Sequence, residues 1–252
     1  KQNDPIFDQY AVHAWFDGVE RGQGPTADYI HIFFLPVERG WAWQIPITST
    51  RTSIGIVTER SEFKKFKAQD NDFFAHYARS NDALARAMKD AVQVTPFKSD
   101  GDYSYSMEQF VGDGWIMVGD AARFVDPIFS SGVNIALYSA KFSSEVIKRS
   151  LEVGDVSRSA LQPYEDRLRA GVEIWYEFIR LYYKLLPLFT LFIRSPDYRQ
   201  EIHRLLQGEV YNRQEVGVLD AMRRYIETVE ATAGHLLRGQ LTDIPIDDLP
   251  VP

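Results

Sequence analysis

The sequence contains no cysteine among its 252 residues. A chain without cysteine forms no disulfide, offers no thiolate to a metal ion and carries no cysteine nucleophile. Its formal net charge of −7 gives no general basic footprint for a nucleic-acid partner. These absences leave a globular protein whose 45% hydrophobic residues are sufficient to bury a sizeable core.

Long hydrophobic runs are also absent. The longest apolar stretch, Leu181–Ile193, is interrupted by Lys184 and Pro187. It falls short of the roughly 20 apolar residues that a membrane-spanning helix needs. The start, Lys1–Pro5, shows no signal-peptide pattern. We therefore expect no membrane span and a cytoplasmic location.

A convincing dinucleotide fingerprint is missing as well. Gly22–Ala27 matches the pattern G-x-G-x-x-A, but a dinucleotide-binding fingerprint must open a helix. Tyr29–Leu35, which follows the segment, has the composition of a strand. The segment is predicted to be a hairpin loop. If the chain handles FAD, its phosphate-cradling element is not expected within these residues.

Metal and hydrolase chemistry find no support. The five histidines are scattered and form no i, i+4 pairs with carboxylates, so no metal site is predicted; they are His13, His31, His76, His203 and His235. No G-x-S-x-G motif is present either, which removes the nucleophile elbow of the α/β-hydrolases.

The residues that are present predict sheet first and helices later. Aromatic and β-branched segments predict antiparallel strands at Tyr10–Phe16, Tyr29–Leu35, Gly40–Ile47 and Ser53–Thr58. Helical spacing predicts helices at Val133–Ser150, Ser159–Leu186, Asp197–Leu206 and Glu215–Leu237. This order indicates an α+β fold or part of an α/β enzyme, in three segments: residues 1–100, 101–150 and 151–252.

The densest group of informative residues lies between Gly112 and Asn134. Trp115–Val118 is expected to be a buried strand that ends at Gly119 and Asp120, where ligands of α/β sheets often bind. Asp120 offers acceptor oxygens to a hydroxylated ligand, and a helix opens after Pro127 with backbone N–H groups free for an anion. Each residue alone fits an ordinary strand-turn-helix, but together they favour a ligand site.

This segment resembles the second FAD motif of the flavin monooxygenase and halogenase superfamily. The resemblance implies that Asp120 bonds a ribityl hydroxyl and that the Pro127–Val133 loop lies against the flavin ring. The implied cofactor-binding residues are Gly119, Asp120, Pro127, Ser130, Gly132, Val133 and Asn134. The chain would then be part of an FAD-binding α/β flavoprotein, with residues 1–100 as an antiparallel substrate-side domain, residues 101–150 containing the flavin loop and residues 151–252 as a C-terminal helical lobe.

Two further motifs narrow the resemblance to flavin-dependent halogenases. Trp41, Trp43 and Pro46 fit the W-x-W-x-I-P signature, which in that family is thought to disfavour monooxygenation. The alternative for the two tryptophans is a pair that packs a core from one strand face. The resemblance covers residues 1–180 well, and the later helices resemble halogenases only in kind.

The loop also resembles the F-x-x-P-x-x-S-x-G pattern of halogenases that act on phenolic and pyrrolic substrates. Phe124, Pro127, Ser130 and Gly132 occupy its four positions. Tryptophan halogenases carry a glutamate where this chain has Phe129, so free tryptophan is not the expected substrate. Phe124 and Phe129 join the tryptophan motif as expected substrate-side residues.

The resemblance implies chlorination of an aromatic or carrier-protein-bound substrate by way of a flavin hydroperoxide and hypochlorous acid. Chloride would be held by the amides around Ser131 and Gly132. Reduced FAD would come from a separate flavin reductase, and an acyl or peptidyl carrier protein is a second expected partner. Two alternatives stay open, namely an FAD-dependent monooxygenase or reductase, and a lobe that binds without catalysis.

Two parts of the family's machinery are not found in the sequence. Its G-x-G-x-x-G loop and catalytic lysine belong to an N-terminal half that precedes the matching motifs, so this chain is expected to be catalytically incomplete. No lysine near the sheet lies in a matching motif, and solvated positions are expected for Lys64, Lys65, Lys67, Lys89 and Lys98.

The aromatic run of the Ser159–Leu186 helix allows two interpretations. It predicts a helix buried on several sides, or one that meets a partner. The cations that a carrier protein would need are Arg167, Arg169, Arg180 and Lys184. The core interpretation is favoured over the docking surface.

Overall fold

A computed structural model describes residues 1–66, 69–101, 103–186, 188–211 and 216–246. Lys67, the first residue of the predicted Glu215–Leu237 helix and the tail beyond residue 246 lie outside these ranges. The chain divides into two compact units, one formed by Phe7–Tyr103 and one by Lys1–Ile6 with Ser104–Pro252. The three predicted segments stay a prediction for the domains of the protein, although one predicted boundary falls close to the division at Tyr103.

The unit Phe7–Tyr103 is built on an antiparallel sheet. Its strands are β2 (Gln9–Asp17), β3 (His31–Phe34), β4 (Trp41–Pro46), β5 (Arg51–Glu59), β6 (Val92–Gln93) and β7 (Lys98–Gly101), with β1 (Gln2–Asn3) belonging to the other unit. The order is β3-β4-β5-β2, and both β6 and β7 pair with β2. The four predicted strands are therefore confirmed.

One face of this sheet packs against three helices, α1 (Arg60–Lys64), α2 (Asp70–Ser80) and α3 (Asp82–Ala87). Alternate residues of β2, Val12, Ala14 and Phe16, contribute to this core, as the two-residue period of a strand requires. Between α2 and α3 the side chain of Asn81 accepts hydrogen bonds from the amides of Ala83 and Leu84, which caps α3.

The tryptophan motif occupies the opposite face of β4. Trp41 and Trp43 are two residues apart, and their ring centroids are 5.9 Å apart. The indole N–H of Trp43 donates to Ser53 Oγ at 3.0 Å, and the ring lies over Gly55, its partner on β5. Both tryptophans stand apart from the core cluster on the helix-covered face. The residue opposite Trp43 is glycine because the indole fills the space that a Cβ would need.

The glycine-containing segment Gly22–Ala27 lies between β2 and β3 and includes a short 3-10 helix at Gly24–Thr26. Because His31–Phe34 is a strand, the segment opens no helix and is not a dinucleotide fingerprint. The prediction of a hairpin loop was wrong. β4 and β5 lie between β3 and β2 in the sheet, so the segment joins strands that are not neighbours.

The second unit combines short strands with long helices. Its strands are β1, β8 (Tyr105–Ser106), β9 (Val111–Gly112), β10 (Trp115–Ile116) and β11 (Arg123–Phe124). Its helices are α4 (Ser131–Val153), α5 (Arg158–Lys184), α6 (Phe189–Arg194), α7 (Arg199–Leu206) and α8 (Gly217–Ala231). The α+β prediction is confirmed, and every strand pairing in the described ranges is antiparallel.

The predicted buried strand at Trp115–Val118 was wrong. Within this run, strand pairing is limited to Trp115 and Ile116, which form a short antiparallel ladder with β9. Trp115 is 41% exposed and Val118 is 43% exposed. Burial of such an apolar run requires packed layers on both faces of the strand, and the described residues leave Trp115 and Val118 without that cover.

Helix α5 is buried along its aromatic run, which confirms the core interpretation. The buried residues include Trp175, Tyr176, Phe178, Ile179, Leu181, Tyr182 and Tyr183. The cations considered for carrier docking have partners in the same unit. Arg167 pairs with Glu145 at 3.2 Å, Arg169 with Glu165 at 2.7 Å and Lys184 with Glu230 at 2.7 Å, and Arg180 donates to the Pro245 carbonyl at 2.6 Å.

No helix within the described ranges has the combination of length and apolarity that crossing a membrane requires.

Gly55→Ala tests the close packing of Trp43 on β5. The new Cβ would lie 2.1 Å from the ring carbon Cζ2, and the indole is held by its bond to Ser53. We expect the free energy of unfolding to fall by about 1–3 kcal/mol, as in overpacked sites. Urea denaturation measures it. Gly239→Ala is the control, because a Cβ there meets no atom within 4 Å; an equal loss in both variants would contradict the packing argument.

Candidate functional site

The segment after β10 begins with a 3-10 turn, Gly119–Ala121. Gly119 has a φ of 56°, in the left-handed region that favours glycine. Its N–H donates to Ser139 Oγ on α4 at 2.8 Å, and a Cβ on Gly119 would lie 3.2 Å from the Cβ of Ala136. The turn is therefore fitted closely onto the first turns of α4.

A groove of about 630 Å³ lies between this turn and the start of α4. It is within the size range of small-molecule sites. It is lined by Val118, Gly119, Asp120, Phe124, Pro127, Ser130, Gly132, Val133 and Ala136. The structure thus brings seven of the residues singled out from the sequence to one surface, namely Gly119, Asp120, Phe124, Pro127, Ser130, Gly132 and Val133.

Asp120 presents an exposed side chain at the groove. Its backbone carbonyl accepts a hydrogen bond from the Tyr105 hydroxyl, which links the turn to β8. Burial of Tyr105, together with the negative charge of Asp120, raises the pKa of that hydroxyl above its ordinary value. Tyr105 therefore stays a neutral donor, and the Asp120 carboxylate remains accessible as an acceptor.

Ser130 is the strained residue of the site. Its φ of 52° is one of two positive values among the described non-glycine residues, the other being Arg39. It stands at the N-cap of α4, but its side chain makes no capping bond. The first N–H groups of a helix have no partners within the helix, and here no cap covers them. Non-glycine residues in this conformation cluster at functional sites.

Gly132 lies in the first turn of α4 and faces Phe124. A Cβ on Gly132 would meet the Phe124 ring at 3.4 Å and Asp120 Oδ1 at 4.0 Å. A side chain at this position would project between two groove residues. The glycine thus keeps the groove open at the helix N-terminus.

Three predicted residues lie outside the lining. Ser131 is 3% exposed, so its side chain is buried while its backbone belongs to the start of α4. The Asn134 side chain lies against Gly208, where a Cβ would come within 2.0 Å of Asn134 Nδ2. Phe129 stacks on Phe178 at a centroid distance of 4.8 Å.

Phe129 belongs to an aromatic cluster on α5. Besides Phe178, it meets Tyr182 edge-on at 4.8 Å, and Tyr182 in turn meets Phe189 at 4.8 Å. Burial raises the pKa of Tyr182, and the charge of Asp126 adds to this effect. The sequence pattern does not connect Phe129 to Phe178 of α5, because more than forty positions separate the two residues along the chain.

Sequence reasoning also missed Asp126. It is 1% exposed, and its Oδ1 accepts hydrogen bonds from the Ile128 amide at 2.8 Å and from the Tyr183 hydroxyl at 3.2 Å. The sequence does contain an indication of this role, the Asp126-Pro127 pair. An aspartate in a turn commonly accepts a hydrogen bond from the backbone amide two residues later. Ser139 was missed too; it is a buried polar residue on the inner side of α4.

The W-x-W-x-I-P residues belong to the unit Phe7–Tyr103. Trp41 is 3% exposed, Trp43 is partly buried and Pro46 ends β4. The described lysines near the sheet are exposed, as expected: Lys64, Lys65, Lys89 and Lys98. No cluster of three or more metal-ligating side chains occurs in the ranges that the structure describes.

Comparison with known proteins decides the family. The family model described as tryptophan halogenase matches residues 35–234, which include both the tryptophan motif and the groove. The chain belongs to the tryptophan halogenase family. Its resemblance to flavin-dependent halogenases is thereby confirmed, and its fold is that of a halogenase with antiparallel sheets and helices.

Named relatives of this halogenase chain carry related activities. It is 45% identical over 250 residues to a 1H-pyrrole-2-carbonyl-[peptidyl-carrier protein] chlorinase of Pseudomonas fluorescens, covering 98% of this chain and 56% of that protein. It is 33% identical over 202 residues to the corresponding brominase of Pseudoalteromonas luteoviolacea, covering 79% of this chain and 49% of that protein. The chain spans about half the length of the curated relatives it matches.

A solved structure agrees with these relatives. The flavin-dependent brominase Bmp2 superposes with a TM-score of 0.83 at 30% identity, covering 91% of this chain and 58% of that chain. The fold of this halogenase chain thus corresponds to part of a larger halogenase fold.

Ser139→Ala tests the bond that holds the Gly119 turn. The variant leaves a buried N–H without its acceptor, so we expect a loss of about 1–3 kcal/mol in the free energy of unfolding. Ser144→Ala on the same helix is the matched control. Both hydroxyls donate to the carbonyl three residues earlier at 2.7 Å, but Ser144 is exposed. Equal losses in urea denaturation would show that the Gly119 bond contributes nothing.

Proposed function

We propose that this chain forms the flavin-side groove and the substrate-side sheet of an FAD-dependent halogenase that acts on a carrier-protein-bound aromatic substrate. The observation that carries the proposal is the groove itself. Seven motif residues, separated by up to fourteen positions in sequence, line one concave surface at the start of α4. Membership of the halogenase family supports the reaction class.

The residues of the groove fit a flavin. Gly119 and Gly132 line the groove without a side chain, so a planar ring system can approach the backbone closely. Asp120 would accept a hydrogen bond from a ribityl hydroxyl, because its carboxylate is exposed at the groove. Pro127, Ser130 and Val133 would border the ring. Reduced FAD, when bound, would supply the activation of oxygen that oxidises a halide.

The halide would lie at the N-terminus of α4, beside the flavin. The proposed donors are the backbone N–H groups of Ser131 and Gly132, which belong to the first turn of α4, and not the buried Ser131 side chain. An uncapped helix N-terminus offers free donors and the positive end of the helix dipole. Chloride is the proposed halide because the relative with 45% identity is a chlorinase, whereas the brominase relative is 33% identical.

The proposed substrate is a heteroaromatic acyl group attached to a peptidyl carrier protein, as the names of both curated relatives state for those proteins. Phe124 lines the groove, and Phe129 joins the aromatic cluster on α5. An apolar Phe129 in place of a carboxylate removes a partner for the amine of free tryptophan. The proposed protein partners are the carrier protein and a flavin reductase.

Asn134 is proposed to contribute to cofactor binding through its backbone alone. Its side chain is turned to Gly208, so any contribution to the flavin would come from its backbone. The W-x-W-x-I-P residues, Trp41, Trp43 and Pro46, are proposed as substrate-side residues on the strength of the motif.

A monooxygenase or reductase reaction and a purely binding role are the competing functions. A monooxygenase or reductase would form product without halide, whereas a halogenase requires it. A purely binding role predicts neither flavin retention nor turnover under any reconstitution.

The deciding experiment mixes the purified chain with the portion of the Pseudomonas fluorescens relative that it does not match. Flavin absorbance after desalting and chloride-dependent turnover with reduced FAD and a pyrrolyl carrier protein are then measured. Flavin retention with chlorinated product supports the proposal. Product that forms without halide assigns a monooxygenase, and absence of flavin in the mixture assigns the groove a structural role.

Asp120→Ala tests the cofactor contact in the same mixture. Loss of a charged acceptor is expected to weaken flavin binding about tenfold or more, since a hydrogen bond to a charged group contributes about 1.5–3 kcal/mol. Folding stability should change little, because the side chain is exposed. Asp28→Ala, a change of another exposed aspartate, is the control. Fluorescence titration with FAD measures both, and unchanged affinity for Asp120→Ala would remove Asp120 from the site.

A further inference from the structure

One buried carboxylate ties the turn before α4 to helix α5. Asp126 Oδ1 accepts the Ile128 amide at 2.8 Å within the turn and the Tyr183 hydroxyl at 3.2 Å from the helix. Asp126 is 1% exposed and Tyr183 is fully buried. Leaving a buried polar group without its partner is costly, so these two hydrogen bonds hold the turn against α5.

The turn itself has few bonds that fix its shape. The Ser130 amide donates to the Pro127 carbonyl at 2.9 Å, and the Ser130 side chain makes no capping bond. Ser130 nevertheless adopts a φ of 52°, which a residue with a Cβ avoids unless its surroundings impose it. The support must come from packing around the turn, and Asp126 is a polar anchor within it.

Tyr183 is itself held in place from its other side. Its backbone carbonyl accepts the Thr242 hydroxyl at 2.9 Å, and the next carbonyl, of Lys184, accepts the Thr242 amide at 3.1 Å. The Lys184 ammonium pairs with Glu230 of α8 at 2.7 Å. The end of α5 is therefore a fixed point relative to which the turn is positioned.

We propose that Asp126 and Tyr183 are a positioning pair. They hold the Pro127–Gly132 turn, and with it the first turn of α4, whose Ser131 and Gly132 amides are the proposed halide donors. The predicted effect of the pair on chloride affinity rests on the proposed function. The pair touches neither groove surface nor ligand, and it acts through the backbone that it fixes.

The same helix supplies a matched control. Asp4 Oδ1 accepts the Ile6 amide at 2.8 Å and the Tyr176 hydroxyl at 3.1 Å. Tyr176 is 2% exposed and lies two turns before Tyr183 on α5. Both tyrosines therefore donate to an aspartate that also bonds its own backbone. Tyr176→Phe removes the same kind of bond without touching the turn.

Amide hydrogen exchange tests the positioning directly on the purified chain. Tyr183→Phe keeps the ring and removes the hydroxyl, so we expect exchange at Ile128 and Ser130 to accelerate about tenfold or more through local opening. Tyr176→Phe should leave these two amides unchanged. Unchanged exchange in Tyr183→Phe, or equal acceleration in both variants, would overturn the proposal.

Chloride titration followed by the amide NMR signals of Ser131 and Gly132 tests the consequence. Tyr183→Phe and Asp126→Ala should weaken the apparent chloride affinity severalfold, whereas Asp126→Asn keeps an acceptor oxygen and should restore most of it. Loss of affinity in Asp126→Asn equal to that in Asp126→Ala contradicts the pair's role. If the wild-type chain shows no chloride response, the halide site of the proposed function fails, and the exchange rates alone decide whether the pair holds the turn.

Discussion

Hydrogen bonds from α5 hold the segment that carries the groove at both of its ends. Glu165 accepts the Phe110 amide at 3.0 Å, and the Tyr164 hydroxyl donates to the Met117 carbonyl at 2.6 Å just before the Gly119 turn. At the far end, Tyr183 reaches Asp126. Because the aromatic residues of α5 are buried, these polar groups are fixed in a low-dielectric setting where each bond is costly to break. The short strands of this unit, two residues each, depend on such bonds for their position.

The shape of the groove depends on two glycine positions, Gly119 and Gly132, which have no side chain. Gly119 accepts a left-handed backbone, and Gly132 leaves open the space beside Phe124 that a side chain would enter. Ser130 takes the same left-handed conformation without being glycine. A strained residue persists only where its surroundings impose the conformation, and the proposed anchor of Asp126 on Tyr183 would supply part of that support.

The sequence predicted the parts of the fold whose signals are local. Aromatic and β-branched composition in β2, β4 and β5 and helical spacing in α4 and α5 identified these elements to within a few residues. It failed at Trp115–Val118, where an apolar run was taken for a buried strand, because burial depends on neighbours that a local pattern does not contain. It likewise missed Asp126 and Ser139, whose roles arise from partners on other elements.

By itself, the sequence determined the strand and helix content, the glycine and proline positions of the flavin-type loop, and the halogenase signatures. Each of these depends on residue type and short spacing, which backbone preferences translate directly into local conformation. Only the tertiary structure decided that Phe129 packs on α5, that Asn134 turns to Gly208 and that Asp126 meets Tyr183. Contacts between distant positions are selected by burial and hydrogen-bond satisfaction across the whole unit, so no local pattern encodes them.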